Sequence, residues 1–129
     1  MILCILYMFQ VSEFNKIVAE FADKPVDFMM IYIEEVHPSD GFDVKENEFK
    51  VIQHKSVEER IAAAKAFAEN AGIKCLMLVD SMSNEATALY GAFPDRLYII
   101  RNDVIEFVGG MGPMFYNVSK MVKALKTLL

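Results

Sequence analysis

Four side chains in this sequence could take a direct part in covalent or proton-transfer chemistry: Cys4, His37, His54 and Cys75. A cysteine attacks as its thiolate, so it becomes reactive where its surroundings lower the pKa of the thiol. Histidine has an ordinary pKa of about 6.5 and exchanges protons at neutral pH. These residue types are compatible with thiol chemistry and with proton transfer by histidine, and they do not by themselves select either.

Length and composition restrict the classes of protein to be considered. The 129 residues fit one domain, and the 54% share of hydrophobic residues, with ten Phe and nine Met, is enough to fill a core. A net charge of −5 without a basic run argues against a nucleic-acid partner. Two cysteines cannot form a disulfide framework, which favours an intracellular location. The apolar N-terminus, Met1 to Phe9, is shorter than the about 20 residues that span a bilayer, so we expect no transmembrane segment.

The spacing of hydrophobic residues predicts the elements that must position these side chains. Strands are predicted over 27–33, 74–79, 96–100 and 104–108, the first two buried on both faces, and helices over 13–23, 56–70, 83–90 and 118–128. Ser12 is a candidate cap for the first helix, and Ser56 with Glu59 forms a capping box for the second. Alternating helices and strands with a closing hairpin predict an α/β domain with a mixed sheet over residues 1–129. Both histidines lie in the long polar stretch from Glu34 to Lys55, a length typical of functional loops.

Several longer segments resemble the iodothyronine deiodinases. They are DFMMIYIEEVHPSDG (27–41), QHKS (53–56) with the following EER (58–60), VDSMSN (79–84), YGAFPDRLYII (90–100) and GGMGP (109–113), within a likeness that covers about residues 13–129. The resemblance implies a thioredoxin-like mixed sheet flanked by helices, with the first strand either missing or replaced by residues 1–9. It also implies thiol-dependent reductive deiodination of iodothyronines, in thyroid hormone activation or inactivation, with an external thiol reductant and no bound cofactor.

The nucleophile of that family is a selenocysteine in a Cys-Thr-selenocysteine-Pro turn after the first strand. By alignment from Phe14, Cys4 falls on the selenocysteine position, but Ile2, Leu3 and Ile5 depart from the family pattern. One interpretation is that Cys4 replaces the selenocysteine. The other is that residues 1–9 are an unrelated leader on an N-terminally truncated, inactive fragment, whose true first strand and nucleophile lie upstream.

The resemblance also implies roles for polar residues around the long loop. His37 would contact the phenolic oxygen of the substrate, and His54 would join a proton relay to the nucleophile. Tyr32 and Glu35, at the end of the predicted strand 27–33, would extend the hydrogen-bond network. The alternatives are ordinary loop histidines, a core tyrosine and a solvated glutamate.

The segment that precedes the predicted hairpin contains two further candidates, Pro94 and Asp95. Thioredoxin-like proteins place a cis-proline opposite the nucleophile here, and Pro94 suits that role; a trans proline in a plain turn is the alternative. Met111 stands where some deiodinases have an arginine that could pair with the substrate carboxylate. Cys75 is expected to be a core residue within a buried strand. Two histidines without a Cys or Asp cluster do not predict a metal site.

Two other functions remain open from the sequence. A thioredoxin-like thiol reductase or peroxidase would use Cys4, although the missing Cys-x-x-Cys motif argues against disulfide exchange. A non-catalytic module would bind aromatic ligands or partner chains. The expected partners of a deiodinase are a small iodinated aromatic substrate and a thiol reductant. Family members are typically membrane-anchored homodimers, so a homodimer is a further expectation.

Overall fold

A computed structural model describes the backbone of residues 2–5 and all of residues 11–41, 43, 45 and 50–129. The elements follow one another as β1 (Ile2–Ile5), α1 (Val11–Glu20), β2 (Phe28–Tyr32), α2 (Val57–Ala71), β3 (Leu76–Val79), α3 (Glu85–Tyr90), β4 (Arg96–Arg101), β5 (Val104–Val108) and α4 (Val118–Leu128). The predicted alternation of helices and strands is therefore confirmed from α1 onward, and β1 precedes it.

The strands form one mixed sheet in the order β3-β2-β1-β4-β5. β1, β2 and β3 are parallel, whereas β4 runs antiparallel to β1 and pairs with β5 as a hairpin. This confirms the α/β class and the mixed sheet. The first strand is formed by residues 2–5, at the centre of the sheet. Cys4 consequently lies within a strand, opposite Met30 of β2 and Leu97 of β4, and not in the segment that follows it.

Three helices, α1, α2 and α4, cover one face of the sheet. Their apolar side chains enclose Met30, Tyr32, Leu97 and Ile99 in the larger of two core clusters. The fully buried side chains at its centre include Phe14 and Met121. α1 begins at Val11, so Ser12 lies within the helix instead of capping it; the sequence placed this helix start two residues too late. These helices pack against one face of β2 and so fix the position of the strand that ends at the polar loop.

The prediction that the strand around Leu76–Val79 is buried on both faces is wrong. β3 is an edge strand, and Leu76 and Leu78 are 61% and 43% exposed. They pair with Met29 and Ile31, so they share the sheet face that carries the smaller core cluster under α3. α3 has only six residues and leaves the β3 side of this face open. A continuous apolar run does not reveal whether a strand is central or at an edge.

The predicted hairpin turn at Asn102-Asp103 is confirmed. Both residues have positive φ, 51° and 62°, the combination that a two-residue type I′ turn requires. Asn and Asp tolerate this left-handed region better than other non-glycine residues. The local turn chemistry thus sets the register of β4 and β5.

The predicted capping box of α2 is present in part: the serine bond forms, whereas the glutamate accepts from Lys55 N and not from the N-cap Ser56 N. The Ser56 hydroxyl accepts a hydrogen bond from Glu59 N at 3.2 Å, and the Glu59 carboxylate accepts one from Lys55 N at 2.7 Å. Gly72 ends the helix with a left-handed φ of 60°. The hydrogen bonds of Ser56 and Glu59 fix the start of α2, where the polar loop joins the helix.

We expect Ser56→Ala to lower the free energy of unfolding by about 1 kcal/mol, because the Glu59 N–H loses its acceptor. Urea denaturation followed by circular dichroism measures the change. Ser119→Ala, at an exposed position of α4, is the matched control and should stay within about 0.5 kcal/mol of the unmodified protein. Equal effects of the two substitutions would contradict the capping role.

No helix in the described ranges, which leave out residues 1, 6–10, 42, 44 and 46–49, combines the length and apolar character needed to cross a bilayer.

Candidate active site

A group of polar side chains lies where β2 ends, at the carboxyl edge of the parallel strands. Tyr32 is the last residue of β2 and is buried. The chain turns after it, so that the Tyr32 hydroxyl donates a hydrogen bond to the Glu35 carboxylate three residues on. In open α/β sheets this edge is where ligands commonly bind.

Burial changes the acidity of both partners in this pair. It raises the pKa of the Tyr32 phenol, and the neighbouring Glu35 carboxylate raises that pKa further. Burial also raises the pKa of Glu35, although the hydrogen bond from Tyr32 and the charge of His37 act in the opposite direction. A glutamate with a raised pKa holds its proton closer to neutral pH, as a proton donor in catalysis must.

His37 lies in the loop after β2, half-buried and close enough to Glu35 for its charge to favour the ionised carboxylate. Two hydrogen bonds tie this loop to the segment before α2. Ser39 N donates to Val51 O at 2.7 Å, and Gln53 N donates to an Asp40 carboxylate oxygen at 2.9 Å. The two ends of the long polar stretch therefore run side by side.

His54 lies at the second of these ends and is only 6% exposed. Its ring centroid is 5.7 Å from that of Tyr32. Nδ1 accepts a hydrogen bond from Arg60 Nε at 3.4 Å, whereas Nε2 is buried and has no hydrogen-bond partner within the described part of the chain. Burial and the Arg60 charge lower the pKa of His54 despite the opposing charge of Glu59. The ring is thus neutral at neutral pH.

Arg60 is a buried residue of this site that the sequence did not single out, since it occurs there only within the resembling segment EER (58–60). The side chain is 1% exposed. Its Nη1 donates to Ser81 O at 2.7 Å, Asn84 Oδ1 at 2.9 Å and Asp80 O at 3.3 Å. The available signal was its spacing: Arg60 precedes the buried Ala64 and Phe67 by four and seven residues, on the same helix face.

Asp80 is a second buried residue that the sequence did not single out, since it occurs there only within the resembling segment VDSMSN (79–84). It follows β3, is 3% exposed, and accepts four hydrogen bonds at its carboxylate: from Ser81 N at 2.8 Å, Ala86 N at 2.9 Å, Thr87 N at 2.9 Å and the Thr87 hydroxyl at 2.8 Å. Although burial acts to raise the pKa of Asp80, these hydrogen bonds outweigh it and lower the pKa. Asp80 organises the start of α3 and, through its carbonyl, one side of the Arg60 pocket.

The structure places Pro94 and Asp95 in the segment before β4, and the expected cis peptide between Phe93 and Pro94 is present. Asp95 is 4% exposed, and its carbonyl accepts a hydrogen bond from Gly112 N at 3.0 Å. A Cβ added at Gly112 would stand 1.2 Å from an Asp95 carboxylate oxygen. Asp95 is therefore packed directly against the glycine-rich loop that follows β5. Its expected role in substrate binding or relay stays a prediction.

The two cysteines differ in position. Cys75, just before β3, is half-buried and packs against the larger core cluster, as expected of a structural cysteine. Burial raises the pKa of its thiol to about 11, so little of it is thiolate at neutral pH. Cys4 lies in the central strand β1, and only its backbone is described.

Arg96 and Arg101, in β4, both have structural partners. Arg96 Nε donates to Gly109 O at 2.8 Å, and its Nη1 donates to Gly91 O at 3.2 Å. Arg101 forms an ion pair with Glu106 at 3.0 Å across the hairpin. Both guanidinium groups thus hold loops and strands together.

Comparison with known proteins gives a consistent result. The sequence profile of the family described as "Iodothyronine deiodinase" matches residues 2–128. The chain is 39% identical over 115 residues to the thyroxine 5-deiodinase of Ovis aries, covering 89% of this chain and 39% of that protein. The Homo sapiens protein of the same name is 38% identical, and the Gallus gallus one 36%. The chain spans less than half the length of these curated relatives.

Proposed function

We propose that this chain, which belongs to the iodothyronine deiodinase family, carries the substrate-binding and proton-transfer residues of an enzyme that removes iodine reductively from iodothyronines. The observation that carries this proposal is the group formed by Tyr32, Glu35 and His54 at the carboxyl edge of the sheet, with His37 in the adjoining loop. It joins a proton-holding pair to a buried, neutral histidine. The names of the relatives, thyroxine 5-deiodinases, support iodothyronines as the substrate class.

A thioredoxin-like fold accounts for the sheet order β3-β2-β1-β4-β5, with β1 at its centre and β4 antiparallel to it. In such a fold the nucleophile follows the central strand, and the cis Pro94 precedes β4 on the same side. Residues 1–129 form a single domain in this proposal, and association into a homodimer is a further prediction.

The proposed reaction begins with attack of a thiolate or selenolate on the iodine atom. The nucleophile takes iodine as I⁺, and the electron pair of the carbon–iodine bond stays on the ring carbon, which accepts a proton. Two external thiols then reduce the sulfenyl or selenenyl iodide, which yields iodide, a disulfide, two protons and the regenerated nucleophile. No bound cofactor is needed. His37 contacts the phenolic oxygen, and Tyr32 with Glu35 holds the proton that the ring takes up.

The nucleophile has two candidate origins. Cys4 is the cysteine at the family position, and it lies within β1 instead of the turn after it. The alternative is that the nucleophile is a cysteine or selenocysteine in the turn after the central strand, and that this sequence does not contain it. Cys75 is unsuited to be the nucleophile because it packs against the larger core cluster, and burial raises the pKa of its thiol to about 11.

Iodide release from a labelled iodothyronine, measured with excess thiol, tests the proposal. We expect release by the unmodified protein, its loss in Cys4→Ser, and its retention in the matched control Cys75→Ser. Retention in Cys4→Ser would exclude Cys4 as nucleophile. If the unmodified protein releases no iodide, a variant with cysteine or selenocysteine restored after β1 is assayed.

Three outcomes would argue against a deiodinase. Failure of the restored variant to release iodide would contradict the function itself. Iodothyronine binding without release at any thiol concentration would indicate the non-catalytic module. Peroxide consumption that survives His37→Ala but not Cys4→Ala would indicate a thiol peroxidase.

A further inference from the structure

The two nitrogens of His54 have different surroundings. Nδ1 faces Arg60 Nε at 3.4 Å, and Nε2 is buried without a hydrogen-bond partner among the residues that the structure describes. A guanidinium group only donates hydrogen bonds and stays protonated at any pH the fold withstands. Nδ1 must therefore present its lone pair. A neutral ring has one N–H, which is then on Nε2.

We infer that Arg60 is a positioning residue that fixes His54 as the neutral Nε2–H tautomer, so that in the proposed deiodination His54 donates a hydrogen bond from Nε2 and does not conduct a proton through its ring. The tautomer follows from the contacts of this chain alone. The catalytic consequence rests on the proposed function. It limits the relay role of His54 to donation of a hydrogen bond from Nε2.

Conduction through an imidazole requires one nitrogen to accept a proton while the other releases one. Arg60 occupies Nδ1 with a permanent donor, so that nitrogen cannot accept a proton while the contact lasts. Loss of the Nε2 proton from a neutral ring would leave an imidazolate, which is too basic to form at neutral pH. His54 is thus a donor to developing negative charge, as a neutral histidine is in triosephosphate isomerase.

The charged and polar groups that face His54 together keep its ring neutral. Arg60 adds positive charge from α2, and Tyr32 presents an uncharged phenol from β2. Glu59 favours protonation, but its carboxylate is bonded to Lys55 N at 2.7 Å, and the pKa of His54 is lowered overall. The Glu35 carboxylate accepts a hydrogen bond from the Tyr32 hydroxyl and raises the pKa of that phenol, which keeps the phenol uncharged.

Arg60 can orient Nε because the far end of its guanidinium is anchored. Nη1 donates to Ser81 O at 2.7 Å and to Asn84 Oδ1 at 2.9 Å, both in the segment that leads into α3. A lysine at this position would keep the charge, but its single ammonium could not reach this segment and His54 with the same geometry.

NMR spectroscopy of the ring nitrogens, in protein that contains isotope-labelled histidine, tests the inference without an activity assay. The protein has two histidines, so His37→Asn assigns the His54 signals. We expect Nε2–H to exceed Nδ1–H by about tenfold or more, and ring protonation only below the ordinary pH range of histidine. A dominant Nδ1–H form, or titration at or above the ordinary pKa, would overturn the inference.

Substitutions separate the charge of Arg60 from its hydrogen bond. In Arg60→Met we expect both tautomers and a His54 pKa closer to its ordinary value; in Arg60→Lys we expect mixed tautomers while the pKa stays lowered. Asn84→Ala removes another Arg60 contact and should leave the Nε2–H form dominant. An unchanged tautomer in folded Arg60→Met or Arg60→Lys would overturn the assignment; if Arg60→Met does not fold, Arg60→Lys decides.

Iodide release gives the catalytic consequence. Arg60→Lys should lower the rate by about tenfold to a hundredfold, because the Nε2–H population falls and the ring is no longer held in line with the reacting group. A rate within twofold of the unmodified protein, with mixed tautomers, would overturn the catalytic part and leave the tautomer assignment standing. Absence of release from every variant, including one with the nucleophile restored after β1, with the Nε2–H form intact, would instead count against the proposed function.

Discussion

Replacement of Asp80 by alanine should lower the free energy of unfolding by about 3–5 kcal/mol. The Asp80 carboxylate accepts hydrogen bonds from three backbone N–H groups and from the Thr87 hydroxyl. Alanine leaves these donors without an acceptor around a buried position, and the start of α3 loses its anchor. Urea denaturation at neutral pH measures the effect.

Two variants give this experiment its controls. Asp80→Asn keeps one acceptor oxygen and should lose about half as much stability. Asp27→Ala removes an exposed carboxylate just before β2 and should change stability by less than about 0.5 kcal/mol. A loss below about 1 kcal/mol in Asp80→Ala would contradict the anchoring role.

The contribution of Asp80 should also depend on pH in a defined direction. Its pKa is lowered in the folded protein, where the hydrogen bonds outweigh burial. The stability that it supplies is therefore fully present above the unfolded-state pKa of about 3.9 and is lost as pH falls through the folded value. The difference between the unmodified protein and Asp80→Ala should shrink below about pH 4. A constant difference down to pH 2 would show that ionisation of Asp80 is not involved.

His37→Ala should reduce iodide release from a labelled iodothyronine by about a hundredfold or more, the range typical of a lost acid–base group. His37 lies next to Glu35, and the family resemblance assigns it to the phenolic oxygen of the substrate. The loss should appear mainly in kcat/KM, since the contact helps both to bind and to polarise the ring. Release is compared at saturating thiol, so that regeneration of the nucleophile does not limit the rate.

The stability of the same variant distinguishes chemistry from folding. His37 is half-buried in a loop, so we expect the free energy of unfolding to change by less than about 1 kcal/mol. Lys55→Ala, at an exposed position of the same polar stretch, should keep at least half of the activity. Retention of most of the activity in His37→Ala would contradict the assigned role.

Local chemistry in the sequence determined much of the fold of this protein. The capping box at Ser56, the hairpin turn at Asn102-Asp103 and the spacing of apolar residues predicted elements that the structure contains. Each signal depends on neighbours a few residues apart, so the local sequence is enough. Length and polarity identified the stretch that contains His37 and His54, and the family resemblance, carried by long segments, implied roles for these two residues.

Only the tertiary structure decided the contacts between distant segments. β3 lies at an edge of the sheet, since β2 pairs with β1 on its other side, and no local pattern encodes strand order. Arg60 reached His54 and Asn84 because the start of α2 lies beside the segment between β3 and α3, and this packing buries the guanidinium group. The hydrogen-bonding state of His54 follows from that packing, since a ring nitrogen takes its role from the group that the fold places opposite it.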